Sequence, residues 1–294
     1  MSAIVPARSR AAKSFGIGQP VRRTEDRRLI SGQGRFADDH TLPRLAHAFV
    51  LRAPHAHARI LHIEAKRALK MKGVLAVLTA ADLEREGVKP IPTFTRLPTS
   101  SFPNRDGAAL PDPPYYPLAR AKVRFAGEAV AFVVAETRAQ AQDAAERIAV
   151  EYEELGAVSD AETALAPDAP KLWDDLASNL CFDTEHGDAA AVERAFAEAA
   201  HVVRLEHVNN RLIVHYMEPR AAIGDYDPAQ GLHTLRCGTQ SVQRQRLLLA
   251  QVLGVPPQHI RVVADDVGGG FGARSFLIPS TRWWRWRPSA SAAR

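Results

Sequence analysis

The chain has 294 residues, enough for two domains of ordinary size, and its 46% hydrophobic and 24% charged content is typical of a globular protein. Its net charge of +5 comes from five arginines within residues 274–294, a stretch without acids, so the 33 basic and 33 acidic residues before it balance. A neutral body argues against nucleic-acid binding, which needs a basic patch on a folded face. Two distant cysteines argue against a disulfide framework, and no apolar run reaches membrane-spanning length, so we expect a cytoplasmic protein with reduced thiols and no membrane partner.

The first predicted elements follow an irregular, basic arm of residues 1–19. Two short apolar runs, His47–Arg52 and Val74–Thr79, are flanked by turn residues and predict buried strands. Residues 89–117 contain eight prolines, which cannot donate to a ladder of hydrogen bonds and disfavour helix before them. We therefore expect a long loop there, with a functional or partner-contacting role.

A β-α-β segment is predicted next. Ala129–Ala135 is an apolar run of strand length, and Thr137 is a candidate N-cap for a helix that ends near Ile148. The apolar stripe of this helix has mostly small side chains, which allow close packing on a sheet: Ala141, Ala144, Ala145 and Ile148. Residues 148–152 are strand-like again.

A domain boundary is predicted in residues 155–187, which mix Pro, Asp and Ala without a clear period. Asp188 is the predicted N-cap of a helix through Ala200. The apolar face of this helix consists of Val192, Ala195, Phe196 and Ala199. Strand-like residues 202–208 and 221–226 follow.

The last predicted helix begins at Thr239 as its N-cap and ends at Gly254, with Pro256 just beyond. Its apolar residues are Val242, Leu248, Leu249 and Val252. The strand Ile260–Val263 then leads into a glycine-rich segment.

Four glycines in five positions mark this segment as the candidate functional site: Gly268, Gly269, Gly270 and Gly272. Such a run after a strand indicates positive φ values or a close approach of the backbone to a ligand. A dinucleotide-binding fingerprint needs a following helix and a later acid, and nothing after Asp266 is acidic. A phosphate-binding P-loop needs Gly-Lys-Ser/Thr, but Ala273 follows the last glycine. A tight structural turn stays open on spacing alone.

The sequence resembles the large subunits of molybdenum hydroxylases, the family of xanthine dehydrogenase and aerobic carbon monoxide dehydrogenase. The resemblance is carried by DDVGGGFGAR at 265–274 and GTQSVQRQRLLLAQVLGVP at 238–256. Further matching segments are QPVRRTEDRRLISGQGRFADD, APHAHARI, VRFAGEAVAFVVAETRAQAQDAAERIAVEYEEL and YMEPRAAIGDYD. Each motif is weak alone, but their order and spacing over residues 16–274 are specific to this family.

The resemblance implies an α+β fold class, with an α/β hammerhead domain followed by an incomplete molybdopterin-binding domain. The corresponding ranges are 20–155 for the hammerhead domain, 156–187 for a linker, 188–274 for the start of the molybdopterin-binding domain and 275–294 for an off-pattern tail.

The implied cofactor is molybdenum bound to molybdopterin, in its cytosine dinucleotide form. By resemblance, the amide of Gln240 hydrogen-bonds an oxygen ligand of the metal rather than the metal itself, and the backbone of Gly269, Gly270, Phe271 and Gly272 approaches the pterin. A neutral amide donor beside a helix N-terminus suits a metal-oxo group, and glycine permits the close contact. No residue is expected to ligate the metal directly.

Two residue pairs have less specific interpretations. His55 and His57 suggest a metal site, but no third ligand has suitable spacing, so we interpret them as structural. Glu218 and Arg220 are interpreted as a positioning pair near the site.

The sequence departs from the family after Arg274. Three tryptophans and three arginines within residues 282–287 fit no amphipathic period. Because a one-base shift of the codons restores an apolar helix, we expect a frameshift near residue 277 that truncates a longer gene. The family's general-base glutamate lies beyond this point, so no catalytic residue is expected here and the chain alone is expected to be inactive.

The implied function is oxidation or hydroxylation of a small substrate, with carbon monoxide, aldehydes and N-heterocycles all open. Electrons would pass to partner subunits, an iron-sulfur small subunit with 2Fe-2S clusters and a medium subunit with FAD. The alternative is a catalytically dead remnant that serves at most as a partner-binding module. A third interpretation, a nicotinamide-dependent dehydrogenase, predicts tight NAD binding.

Overall fold

The computed structural model describes residues 17, 20–92, 104–210, 212–275 and 277. The predicted N-terminal arm and off-pattern tail, including the proposed frameshift site, therefore lie almost entirely outside the described residues. The chain divides into two compact units, residues 1–35 and 36–294. In the first unit, α1 (Asp26–Ile30) is a single short helix, with an exposed ion pair between Arg23 and Asp26 at its start.

The second unit contains the remaining α-helices and the strands of the described residues. In chain order they are β1 (His47–Arg52), β2 (Ala58–Glu64), α2 (Lys66–Leu69), β3 (Val74–Thr79), α3 (Ala80–Arg85), β4 (Lys122–Val123), β5 (Ala129–Ala135), α4 (Arg138–Ala145), β6 (Ala149–Glu154), α5 (Ala161–Ala164), α6 (Ala189–Glu198), β7 (Ala222–Asp227), β8 (Leu232–Cys237), α7 (Val242–Leu253) and β9 (Ile260–Val263). This mixture confirms the predicted α+β class.

The first sheet has the order β1-β5-β3, with β5 antiparallel to both neighbours. All seven residues of β5 are buried, because its apolar side chains are covered on both faces. On one face lies α4, where Ala141, Ala144 and Ala145 are almost fully buried. As predicted, the Thr137 hydroxyl caps α4 by accepting the N–H of Gln140 at 3.2 Å.

The predicted β-α-β segment is wrong in its pairing. β5 and β6 flank α4 in the chain, but β6 joins a second sheet of order β4-β2-β6, where it pairs antiparallel with β2. Tyr152 on β6 faces Ile60 on β2 in the register. The helix therefore turns the chain from one sheet to the next, which local periodicity does not encode.

The third sheet positions the candidate site. It has the order β7-β8-β9, with β7 antiparallel and β9 parallel to β8. Because β8 and β9 are parallel, α7 forms the crossover between them, and the loops after both strands emerge at the same edge of the sheet. The core between α7 and this sheet includes Leu235, Leu249, Val252 and Ile260.

The segments predicted as a long loop and as a linker both contact the sheets. The described parts of the proline-rich segment, 89–92 and 104–117, form no regular element beyond a single bridge between Ile91 and Tyr115. Ile91 is buried in the core of the third sheet, so this loop packs against that sheet. Asp174, in the predicted linker, is held to the second sheet, since Lys122 Nζ donates to it at 2.6 Å.

The predicted strand at residues 202–208 is not formed. Its neighbour α6 has the predicted N-cap, since Asp188 accepts the N–H of Ala191 at 2.9 Å, but its apolar face is not buried. Eight large apolar residues, from α6 onward to the site, are each 51 to 93% exposed: Val192, Phe196, Val203, Leu205, Val208, Leu212, Ile213 and Met217. We call this set the exposed apolar segment. No helix of the described residues is long and apolar enough to cross a membrane.

Candidate functional site

The loop after β8 carries Gln240. The hydroxyl of Ser241 caps α7, because it accepts the N–H of Arg244 at 3.2 Å. The prediction of Thr239 as the cap is wrong: its hydroxyl instead accepts the N–H of Ser241 at 3.3 Å and donates to the carbonyl of Arg274 at 3.1 Å. Gln240 thus lies one residue before the N-cap. At the other end, Gly254 adopts φ of 64° and ends α7, as predicted.

The loop after β9 carries the glycines, and it meets Gln240 directly. The N–H of Gln240 donates to the carbonyl of Arg274 at 3.2 Å, and the N–H of Arg274 donates to Gln240 Oε1 at 3.2 Å. A Cβ atom added to Gly270 would lie 2.5 Å from Gln240 Cγ and 2.6 Å from Cδ. Only glycine fits at this position while Gln240 keeps its place.

The other glycines serve the loop in different ways. Gly269 and Gly272 adopt φ values of 102° and 87°, which side chains disfavour. Phe271 between them has φ of 46°, and the residue is 76% exposed. Among the described residues, no acceptor faces the main-chain N–H groups of residues 269–272. This arrangement offers several donors beside an exposed aromatic ring, which suits an anionic or oxygen-rich ligand.

A buried ion pair lies under the loop. Glu218 is 9% exposed and Arg274 is 2% exposed, and their side chains are in direct contact. Glu218 Oε2 also accepts the N–H of Gly268 at 2.9 Å. A Cβ on Gly268 would lie 2.4 Å from Glu218 Cβ, so this glycine too is required by close contact.

The prediction that Glu218 pairs with Arg220 is therefore wrong, although both residues contact the glycine loop as expected for positions near the site. Arg220 donates to the carbonyl of Ala273 at 2.8 Å, and its guanidinium lies 5.4 Å from the ring centre of Tyr216. Both arginines face Tyr216, but only Arg274 is buried against Glu218. Sequence reasoning missed Arg274, although it is the first basic residue after the glycines and Glu218 is a buried acid that needs a charged partner.

Cys237 ends β8 directly beneath the ion pair. It is 2% exposed, and burial raises the pKa of its thiol to about 11. Because the thiolate is the reactive form, Cys237 is an apolar packing residue here rather than a nucleophile or ligand. Cys181 is exposed and lies within the predicted linker.

The two histidines of the H-x-H motif are separated by the strand arrangement. His55 contacts Glu154 at 3.2 Å, and the ring of Tyr152 lies 4.8 Å from its own. His57 is buried, with Nδ1 at 2.7 Å from the carbonyl of Gly156. The segment just before β2 is therefore tied to the end of β6 by His55 and to Gly156 by His57. Among the described residues, no cluster of His, Cys, Asp and Glu could hold a metal ion.

The two halves of the chain match two known families. Residues 31–156 match the aldehyde oxidase and xanthine dehydrogenase a/b hammerhead domain, and residues 172–282 match the molybdopterin cofactor-binding domain.

Similar proteins include the large chains of two carbon monoxide dehydrogenases and a quinoline oxidoreductase. The carbon monoxide dehydrogenase large chain of Hydrogenophaga pseudoflava is 36% identical over 267 residues, covering 87% of this chain and 31% of that protein. The large chain from Afipia carboxidovorans is 34% identical over 275 residues, covering 90% of this chain and 32% of that protein. The solved structure of quinoline 2-oxidoreductase from Pseudomonas putida 86 has a TM-score of 0.77 and 35% identity, covering 89% of this chain and 32% of that chain. The chain thus spans about one third of the length of these relatives.

Proposed function

Because the chain belongs to the molybdenum hydroxylase large-subunit family of xanthine and carbon monoxide dehydrogenases, we propose that Gln240 and the loop Gly269–Gly272 hold its molybdopterin cofactor. The observation that carries this proposal is the packing of Gly270 against Gln240, which leaves no room for a Cβ. Two loops from parallel strands are thereby joined into one surface at the carboxyl edge of the sheet, where open α/β sheets commonly bind ligands.

The residues present fit such a cofactor. The N–H groups of residues 269–272 can donate to oxygen atoms of the ligand, and the lack of side chains on the glycines allows a close approach. Gln240 adds a neutral amide donor, which can hydrogen-bond an anionic ligand without protonating it. Phe271 presents an exposed ring that can cover a flat ligand and exclude water. When bound, the molybdenum cofactor supplies two-electron oxidation chemistry at the metal.

We further propose the same organisation as the sequence predicts: a hammerhead domain at 20–155, a linker at 156–187 and the start of the cofactor domain at 188–274. The relatives named as large chains support partner subunits, which would carry 2Fe-2S clusters and FAD. The cytosine dinucleotide form of the cofactor and a small oxidisable substrate belong to the same proposal. No residue of this chain is proposed as the general base.

Metal and pterin analysis tests the proposal. The full chain is purified after co-expression with an iron-sulfur and an FAD subunit, and molybdenum and oxidised pterin are measured per chain. We expect stoichiometric amounts of both in wild type and large losses in Gln240→Ala. The matched control is Gln251→Ala, which removes an exposed glutamine from the far end of α7. Equal cofactor content in both variants would contradict the role of Gln240, and tight binding of NAD would favour a nicotinamide-dependent enzyme instead.

The exposed apolar segment favours a second function, partner binding without cofactor chemistry. Apolar patches of this kind mark protein interfaces. A chain that stays associated with its partner subunits while containing neither molybdenum nor pterin would establish this second function and refute the first.

A further inference from the structure

The ion pair of Glu218 and Arg274 is a costly feature for a protein interior. Burying two charges forfeits their hydration, and apolar residues of similar volume often stabilise a protein as well or better. Here the pair is almost fully buried, and the guanidinium also lies 4.2 Å from the ring centre of Tyr216. Because the ion pair lies under the glycine loop, we expect it to hold the loop in one conformation.

The pair joins the two ends of the glycine loop. Glu218 Oε2 accepts the N–H of Gly268 at the start of the loop, and it contacts the guanidinium of Arg274 at the end. The guanidinium also donates to the main-chain carbonyl of Glu218. It fills the space above Gly238, where an added Cβ would collide with Arg274 Nη1. The main chain of Arg274 is therefore fixed through its own side chain.

This fixed main chain determines how the amide of Gln240 is turned. The N–H of Arg274 can only donate, so the atom of Gln240 that faces it must be the amide oxygen, as the 3.2 Å contact with Oε1 shows. The amide nitrogen must then point away from Arg274. Among the described residues it has no acceptor.

We propose that Glu218 and Arg274 are positioning residues that orient the Gln240 amide so that it presents N–H donors to the bound ligand. The site then selects a ligand group that accepts hydrogen bonds, such as a metal-oxo or other oxyanion group, over one that donates. This selection rests on the proposed function, whereas the orientation of the amide does not require any ligand.

The orientation is tested on the cofactor-free full chain by NMR. The side-chain NH2 signals of Gln240 are assigned by their loss in Gln240→Glu. In Arg274→Met, we expect these signals to shift toward those of a free glutamine, and exchange of the main-chain N–H at 274 to rise about tenfold or more. The matched control is Lys122→Met, which breaks the ion pair with Asp174 elsewhere in the chain and should change neither.

The outcomes separate orientation from mere stability. If Arg274→Met and Lys122→Met both lower stability while the Gln240 signals stay unchanged, the positioning role is refuted. Should Arg274→Met fail to fold, Glu218→Ala decides, because it removes the oxygen that accepts from both Gly268 and Arg274: unchanged exchange at 274 then refutes the role.

The donor claim is tested separately, by pterin content after co-expression. Gln240→Glu can still accept the N–H of Arg274 but cannot donate from its carboxylate. We expect it to lose pterin about as fully as Gln240→Ala, and wild-type pterin content in Gln240→Glu would overturn the donor claim. If wild type itself holds no pterin, the proposed function and its ligand selection fail, while the NMR result still decides the orientation.

Discussion

Replacing Gly270 with alanine should destabilise the protein through one contact, with the side chain of Gln240. The added Cβ would lie 2.5 to 2.7 Å from Gln240 Cγ, Cδ and Oε1, well inside van der Waals contact. Either the loop shifts, at the cost of about 1–3 kcal/mol typical of overpacking, or Gln240 swings out and loses its hydrogen bond to Arg274, worth about 1 kcal/mol. The reduced freedom of the unfolded chain offsets about 0.4–1 kcal/mol. A net loss of up to about 2 kcal/mol is expected if the loop shifts, and less than about 1 kcal/mol if Gln240 swings out.

The contact is isolated by a double-mutant cycle. In a Gln240→Ala background all three colliding atoms are absent, so the cost of Gly270→Ala should disappear. The matched control is Gly272→Ala, which meets open space but has φ of 87°. It should cost about 1–2 kcal/mol from backbone strain in either background. The free energy of unfolding is measured in urea by circular dichroism. An equal cost of Gly270→Ala with and without Gln240 would refute the reasoning.

Three further predictions concern the surroundings of the site. Ser241→Ala should cost about 1 kcal/mol of unfolding free energy and Ser241→Gly only a few tenths, since glycine is a tolerated N-cap. Unchanged stability in Ser241→Ala would show that the hydroxyl cap is unimportant. At pH 8 iodoacetamide should label Cys181 rapidly and Cys237 very slowly in the native protein. Cys237 is buried, and a pKa of about 11 leaves roughly a thousandth of its thiol as thiolate. Equal labelling of the two cysteines, measured by mass spectrometry, would contradict the burial of Cys237. The hydrogen bond from Lys122 lowers the pKa of Asp174 below its ordinary 3.8. Asp174→Asn should therefore be less stable than wild type above pH 3.8, and the difference in stability should vanish as the pH falls through the lowered pKa. A difference that persists in acid would refute the charge contribution.

Strands defined by continuous apolar runs were predictable from the sequence. His47–Arg52, Val74–Thr79, Ala129–Ala135 and Ile260–Val263 all form strands with the predicted bounds. Each run is short, apolar and bounded by turn residues, so its local composition is sufficient. The cap residues Thr137, Asp188 and Gly254 were equally predictable, because their chemistry acts within one turn.

Features that depend on distant residues were not predictable in this way. Residues 202–208 have apolar residues suited to a strand, but a strand needs a partner, and among the described residues none pairs with them. Strand β6 pairs with β2, which lies far from it in the sequence, rather than with β5 across α4, and the period of α4 does not encode that choice. Likewise, the hydroxyl of Thr239 is used by Arg274, 35 residues away, so the cap falls to Ser241.

The candidate site was predicted in part. The glycine run and Gln240 were found from the resemblance of two segments, and the parallel pairing of β8 and β9 explains why those segments meet. The partner of Glu218 could not be found by spacing, because Arg220 is near in sequence whereas Arg274 is near in space. Only the fold distinguishes the two.

Hydrogen exchange of cofactor-loaded and cofactor-free protein tests the location of the cofactor most directly. The loaded protein is purified after co-expression with its partner subunits, and a second sample is stripped of the cofactor before exchange. We predict that the cofactor protects main-chain N–H groups in residues 238–242 and 268–275 and leaves β5 and α4 unchanged. Protein that contains pterin but gains protection only outside these two loops, or that contains no pterin at all, would contradict the assignment.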